Sequence, residues 1–302
     1  MVDPVHDVII IGGSYAGLSA TLQLGRARRT VLIIDEGKRR NRFASHSHGF
    51  LTQDGADPAS IAADARTQVM RYKTVSWLSG RADRAARVDA SGAGFEVFAD
   101  GQRHLSRRLL LATGVRDILP AIPGLAERWG KAVFHCPYCH GYELDQGKIG
   151  VIAGSELSMH HALMLPDWGP TTLLLNNAFE PNPEQLQDLA ARGVTIERSP
   201  VEAITGHADI RLVDGRTLSF AGLYAIAPFE MTNPIPKELG LEFVQGAVGS
   251  IIKTDPMKET SLTGVFACGD AAMPMASVAL AVGDGHLAGA GLHRSLMFGI
   301  RD

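Results

Sequence analysis

The tightest constraint on the fold lies near the N-terminus. Val8-Ile9-Ile10-Ile11 is an unbroken β-branched run, and Gly12-Gly13-Ser14-Tyr15-Ala16-Gly17 follows it directly. A run that is apolar at every position reads as a parallel strand buried on both faces. Leu18 to Arg26 then predicts a helix and Val31 to Ile34 the next strand, which together make one βαβ unit. In such a unit the first glycine permits the tight turn, and the last permits close packing of helix on strand. The helix N-terminus then turns free N–H groups toward a pyrophosphate. Gly12, Ser14 and Gly17 are the candidate phosphate contacts, with Ser14 standing where the middle glycine usually is. Asp35, at the end of the second strand, is the candidate partner of a ribose hydroxyl pair, with Glu36 beside it. Taken alone, the segment also allows a tight βα turn that binds nothing.

The remaining chain has room for a second unit of this kind, since 302 residues exceed what one core needs. Ser91 to Leu111 alternates in places, as at Phe95, Val97 and Phe98, and predicts antiparallel strands ending in Leu109 to Leu111. Pro120, Pro123 and Gly124 mark a linker. After Gly147, a second βαβ pattern runs through a strand at Ile149 to Ile152, a turn at Ala153 to Ser158, a helix at Met159 to Leu165 and a strand at Thr171 to Leu175. Pro234 and Pro236 mark another boundary; beyond it Val265 to Cys268 is a short strand and Ala276 to Met297 a long helix of small residues. The expected fold is α/β: two dinucleotide-binding, Rossmann-like three-layer domains, the first of them discontinuous. The first would hold residues 1–116 and 246–302, and the inserted one residues 117–245.

Lys plus Arg is 29 and Asp plus Glu is 32, a net charge of −3. That balance argues against nucleic acid and against an anionic membrane surface. The basic runs Arg26 to Arg29 and Lys38 to Arg42 read as solvated faces, although the second lies beside the phosphate loop, where one arginine can reach a cofactor. Val2, Asp3 and Pro4 lead straight into a strand without a secretory pattern, and no apolar stretch reaches the ~20 residues of a membrane span. The expected location is cytoplasmic. Three cysteines in a reducing compartment do not make a disulfide framework, so the pair Cys136 and Cys139 points to catalysis or metal binding.

Two further motifs flank this region. Ala112-Thr113-Gly114 follows a strand, and Gly264-Val265-Phe266-Ala267-Cys268-Gly269-Asp270-Ala271-Ala272 lies near the C-terminus. Together with the glycine loop they resemble the flavoproteins with two dinucleotide domains. The resemblance implies FAD, contacts at Thr113, Gly114, Gly269 and Asp270, and a hydrogen bond from the ribityl chain to Asp270. Against that background Cys136-Pro137-Tyr138-Cys139-His140 admits four readings. Covalent haem attachment belongs outside the cytoplasm. Structural zinc needs a second ligand pair, which the sequence does not offer, so no metal is expected. Glutaredoxins carry this motif near the start of a small domain. A redox disulfide working with the flavin is the reading that fits an inserted region of a flavoprotein.

The order of all these motifs, over essentially the whole chain, resembles the low-molecular-weight thioredoxin reductase family. By position, the resemblance makes Cys139 the flavin-proximal thiol and Cys136 the interchange thiol, and it implies a homodimer. The family has an aspartate acid where this chain has His140. An imidazole of pKa ~6.5 exchanges a proton at neutral pH, and only a thiolate attacks a disulfide, so His140 is the candidate base for an incoming thiol. The alternative is a hydrogen-bonded residue at a helix start. His135 is structural or tunes Cys136 by charge; His46, Ser47 and His48 are candidates for the substrate cleft; His160 and His161 read as surface residues of a helix.

The chain departs from a reductase where NADPH would bind. The second loop, Ala153-Gly154-Ser155-Glu156-Leu157-Ser158, keeps small residues but has a weak fingerprint. The family's His-Arg-Arg run is replaced by Leu175-Asn176-Asn177, and no Lys or Arg occurs between Gly169 and Ala191. A 2′-phosphate would lack a bidentate partner there, so NADPH is doubtful; NADH would have Asn176 at most. Ser277-Val278-Ala279 likewise replaces the family's Arg-Gln-Ala. These losses, with CxxCH, resemble the branch of dithiol oxidases that close disulfides in epidithio natural products of the gliotoxin and holomycin type. Reductases fed by ferredoxin are another branch with a degenerate nicotinamide domain. Three functions follow: oxidation of a small dithiol with oxygen as acceptor, reduction of a thioredoxin-like protein, and a redox sensor or FAD-holding scaffold without turnover.

Overall fold

The structure, a computed structural model, describes residues 4–88 and 94–299. Val2, Asp3 and the Ser91 end of the expected antiparallel segment lie outside them. Two compact units emerge, one of residues 1–42, 57–116 and 229–302, the other of 43–56 and 117–228.

The first unit is built on β1 (Val5–Ile11), α1 (Tyr15–Arg26) and β2 (Val31–Asp35). β1 pairs in parallel with β2 on one side and with the strand Gln102–Leu111 on the other. Val8, Ile9 and Ile10 are fully buried because the strand has cover on both faces. Val8 and Ile10 pack with Leu18 and Leu24 of α1 and Leu292 of the helix Val278–Phe298. Ile9 and Ile11 face the other way, toward Val97, Ile235 and Ile252. Each such side chain contributes roughly 1.5–3 kcal/mol. The strand Gln102–Leu111 is shared: its first half pairs antiparallel with Phe95–Ala99, while Leu109 to Leu111 pair in parallel with Val265–Ala267. That last ladder brings the C-terminal segment back into the sheet, one strand removed from β1.

The second unit carries a five-stranded parallel sheet in the order Thr195–Glu197, Thr171–Leu174, Ile149–Ile152, Gly222–Ala225, Val133–Phe134. A three-stranded antiparallel sheet made of Val201–Thr205, Asp209–Leu212 and Thr217–Ser219 accompanies it. Both units are thus of the Rossmann-like α/β type.

Three boundaries differ from expectation by more than a residue or two. α1 begins at Tyr15, not Leu18, because Ser14 is extended (φ −92°, ψ −165°) and its carbonyl already accepts from Leu18 N–H at 2.8 Å. The chain returns to the first unit at Phe229, not at 246. Ile235 and Leu241 enter that unit's core, and Asn233 Nδ2 donates to the carbonyl of Ala82 at 2.9 Å. Residues 43–56, placed in the first domain by sequence, belong to the second unit. Gly130 lies so close to Phe43 and Ala44 that a Cβ there would sit 3.0 Å from Phe43 Cβ, and His48 reaches Glu143.

Candidate active site

The buried strand Val133–Phe134 delivers the redox motif. Cys136, still extended, caps a single helical turn, Pro137–His140. Proline suits its first position, where the missing N–H would have no partner in any case. Cys136 and Cys139 form a disulfide across a Cα separation of 5.3 Å, within the span such a bond requires. Tyr138, between them, is exposed.

His140 is partly buried, with its ring stacked on Phe134 at 4.5 Å between centroids and 27° between planes. His48 stands edge-on to it at 6.2 Å. Burial first, then the neighbouring His48, pushes the His140 pKa below the usual histidine value, with Glu143 pulling the other way and His46 adding to the fall. Its imidazole is therefore neutral at physiological pH and has a lone pair for a proton. His140, His46, His48 and Glu143 line one cavity of about 300 Å³, together with Lys131 and His207. That volume is at the small end of ligand pockets. His46 and His48 thus line this cavity, whereas Ser47 is buried and spends its backbone on a bridge to Ala56. His135 is exposed and stacks on Trp129 at 5.8 Å. His161, expected at the surface, is only 6 % exposed.

In the first unit the glycine loop is shaped by close approach. Gly12 has φ +104°, and a Cβ on it would lie 2.2 Å from the Ala112 carbonyl oxygen. A Cβ on Gly17 would lie 1.9 Å from the carbonyl oxygen of Gly12. Ser14 begins α1 without spending its hydroxyl on the cap. Around the loop, Thr113 Oγ1, Asn41 Oδ1 and Arg39 Nε are buried without a hydrogen-bond partner, although Asn41 Nδ2 donates to Tyr15 Oη at 3.1 Å. Unpaired polar atoms clustered at a glycine loop and a helix start fit a polar cofactor such as FAD. The Asp35 carboxylate accepts from the backbone N–H of Gly13 at 2.9 Å and of Gly37 at 3.2 Å, so it braces the loop. Glu36 lies beyond the strand end and pairs with Lys38 at 3.2 Å. Asp270 pairs with Arg40 at 2.9 Å.

Comparison with known proteins matches residues 6–285 to the model of the pyridine nucleotide-disulphide oxidoreductases. The chain belongs to this family. It is 32 % identical over 310 residues to thioredoxin reductase sirT of Leptosphaeria maculans, covering 96 % of this chain and 94 % of that one. A crystal structure of an oxidoreductase from Agrobacterium tumefaciens is similar at 57 % identity and TM-score 0.94, covering 98 % and 99 % of the two chains. The crystal structure of HlmI is similar at 34 % identity and TM-score 0.90, covering 97 % and 93 %. Our chain is thus an FAD-dependent oxidoreductase that acts on sulfur groups.

In this oxidoreductase the second nucleotide loop has a backbone donor already engaged within the chain. Its helix, Ser158–Met164, spans only seven residues, and the Ser158 hydroxyl accepts from Gly154 N–H at 3.2 Å. Glu156 adds negative charge there and accepts from Gln185 Nε2 at 2.6 Å. Asn176 Oδ1, which sequence offered to a ribose, instead accepts from Val201 N–H at 2.9 Å. Arg198, at the end of the neighbouring strand, is held by both carboxylate oxygens of Glu180 at 2.6 Å. Sequence reasoning missed Glu143 and Arg40. Glu143 had a usable signal in its place one turn after His140; Arg40 had only its basic run. No helix among the described residues is long and apolar enough to cross a membrane.

Proposed function

We propose that this oxidoreductase oxidises a small dithiol to a disulfide, with oxygen as final acceptor and without drawing on NADPH. The observation that carries the reading is at the second nucleotide loop, where Glu180 holds Arg198 and Ser158 holds Gly154 N–H. A cavity of about 300 Å³ beside His140 suits a small molecule better than a protein loop. Gly12, Ser14 and Gly17 would hold the FAD pyrophosphate, Glu36 the ribose with Asp35 bracing the loop, and Thr113, Gly114, Gly269 and Asp270 the rest of the cofactor. When bound, FAD supplies a two-electron carrier between the cysteine pair and oxygen, which is released as peroxide.

The chain's own part is thiol–disulfide exchange. His140 takes the proton of the first substrate thiol, and the thiolate attacks Cys136 Sγ. The Cys136–Cys139 bond breaks and Cys139 leaves as thiolate. The second substrate sulfur then attacks the first, which frees Cys136 and releases the product disulfide. In keeping with the family resemblance, the working form would be a cytoplasmic homodimer.

A second reading is favoured by the exposed Tyr138 and Tyr142 beside the cysteines, at 71 % and 86 %, which would suit a thioredoxin-like protein. The centre would then run backwards as a thioredoxin-disulfide reductase, fed by NADPH or by another donor such as ferredoxin. Anaerobic absorbance of the FAD-loaded protein separates the two. We expect dithiothreitol to bleach the flavin, NADPH and NADH to leave it yellow, and air to restore the colour with one peroxide per cycle. Rapid bleaching by NADPH would establish the reductase. His140→Ala should keep FAD and slow bleaching by dithiol roughly 10²–10⁴-fold at neutral pH; an unchanged rate would remove His140 from the chemistry.

A further inference from the structure

Oxidation of a dithiol releases two electrons and two protons. The Cys136–Cys139 bond takes the electron pair and becomes two thiolates, so the two protons need acceptors elsewhere in the cleft. His140 holds one of them. We propose that His48 is the second proton acceptor of this site. The inference rests on the reading of the Cys136–Cys139 pair as a thiol–disulfide exchange centre whose substrate enters the cavity lined by the adjacent His140. It holds for either direction, since reduction of a substrate disulfide needs the same two protons returned.

His48 is set up for this by its neighbours. Its Nδ1 faces Glu143 Oε1 at 3.3 Å and Asp54 Oδ1 at 3.6 Å. A carboxylate only accepts, so in the neutral ring Nδ1 carries the hydrogen and Nε2 keeps its lone pair. The contact to Glu143 thus leaves Nε2 as the ring atom that can take a proton. The loop that carries His48 is closed by its own backbone: Ser47 N–H donates to the Ala56 carbonyl at 2.8 Å, and Gly49 N–H donates to Asp54 Oδ1 at 2.8 Å. The other titratable groups around the ring are His140 at 6.2 Å and His46 at 6.3 Å between centroids, with Lys131 and His207 on the same cavity wall. His46 is solvent-exposed and bonds Ser45 Oγ at 2.9 Å, which makes it the weaker candidate.

Protons and charge then balance. The first substrate S–H gives its proton to His140. The new bond joins the substrate sulfur to Cys136, and Cys139 leaves as thiolate. The second S–H gives its proton to His48. The substrate disulfide forms, and Cys136 leaves as thiolate. Two thiolates and two imidazolium ions result, so the net charge of the site is unchanged at each stage.

The test compares the FAD-loaded wild type with His48→Gln, anaerobically, using dithiothreitol over a pH series. Flavin bleaching is followed by stopped flow, and the adduct on Cys136 by mass after acid quenching. At neutral pH we expect the variant to form the adduct at the wild-type rate, to accumulate it, and to bleach at least about 10-fold more slowly. The deficit should close as pH approaches the thiol's own pKa of ~8.5, where no acceptor is needed. Wild-type bleaching at neutral pH, or slowing by the same factor at every pH, would overturn the proposal. If the wild type itself is not bleached, the exchange reading falls and this inference falls with it; if only the variant comparison fails, the exchange reading stands.

Discussion

At His161, burial and one hydrogen bond pull in opposite directions. A ring N–H donates to the carbonyl of His135, which favours the charged ring, but burial outweighs it and pulls the pKa down to about 4, with His160 adding to the fall. Nδ1 has no partner, and the ring meets Tyr224 edge-on at 5.8 Å. A histidine depressed in the folded state takes up its proton more readily in the unfolded one. Its contribution to stability is therefore complete above pH ~6.5 and is lost as pH falls to about 4. The loss is about 3 kcal/mol at most. In urea titrations across this window the wild type should weaken by an amount of that order, while His161→Gln, which cannot titrate, should show a flatter profile. Equal slopes for the two proteins would count against the account. Nothing in the local pattern signals this burial. His160-His161 looks polar, and only the packing of the helix Ser158–Met164 decides which ring turns inward.

The helix Val278–Phe298 bears one acid in a run of small apolar residues, and that acid fixes a functional loop. Asp284 Oδ1 pairs with Lys258 Nζ at 2.9 Å, both side chains being at most 9 % exposed, while Oδ2 accepts from Gly269 N–H at 2.9 Å. The turn bearing Asp270 is thereby tied to the helix. Asp284→Ala would leave a buried, unpaired ammonium and should cost roughly 3–5 kcal/mol. Adding Lys258→Met should recover much of that stability but not FAD affinity, because Gly269 N–H remains untied. Denaturant midpoints and FAD content per chain read the two effects separately, and full recovery of both would show that the ion pair has no positioning role. At this scale the sequence was a good guide where the signal is local. The Val8–Ile11 run and the glycine loop read directly, since their pattern reflects their own backbone. The transfer of residues 43–56 and 229–245 was not legible, because it depends on Ile235, Leu241 and His48 meeting residues far away in the chain.

For the whole molecule the question is where electrons enter, and the second nucleotide loop bears on it through several groups at once. Restoring the arginines that a reductase has, as Asn176→Arg with Asn177→Arg, tests whether the missing cations alone explain the loss. Both positions have left-handed backbone, φ +49° and +57°, which asparagine tolerates and arginine resists. The double substitution also breaks the Asn176 hydrogen bond to Val201 N–H. Each change should therefore cost about 1–2 kcal/mol. The added cations would also meet Glu180, already bound to Arg198, and a pyrophosphate would still find Gly154 N–H occupied and Glu156 beside it. The expected outcome is a less stable protein whose flavin NADPH still fails to bleach, with dithiol bleaching unaltered because the cysteine pair, His140 and His48 are untouched. Efficient bleaching by NADPH in this variant would mean that two cations are enough to reopen the site. Neither the Glu180–Arg198 pair nor the Ser158–Gly154 contact would then keep NADPH from driving this oxidoreductase.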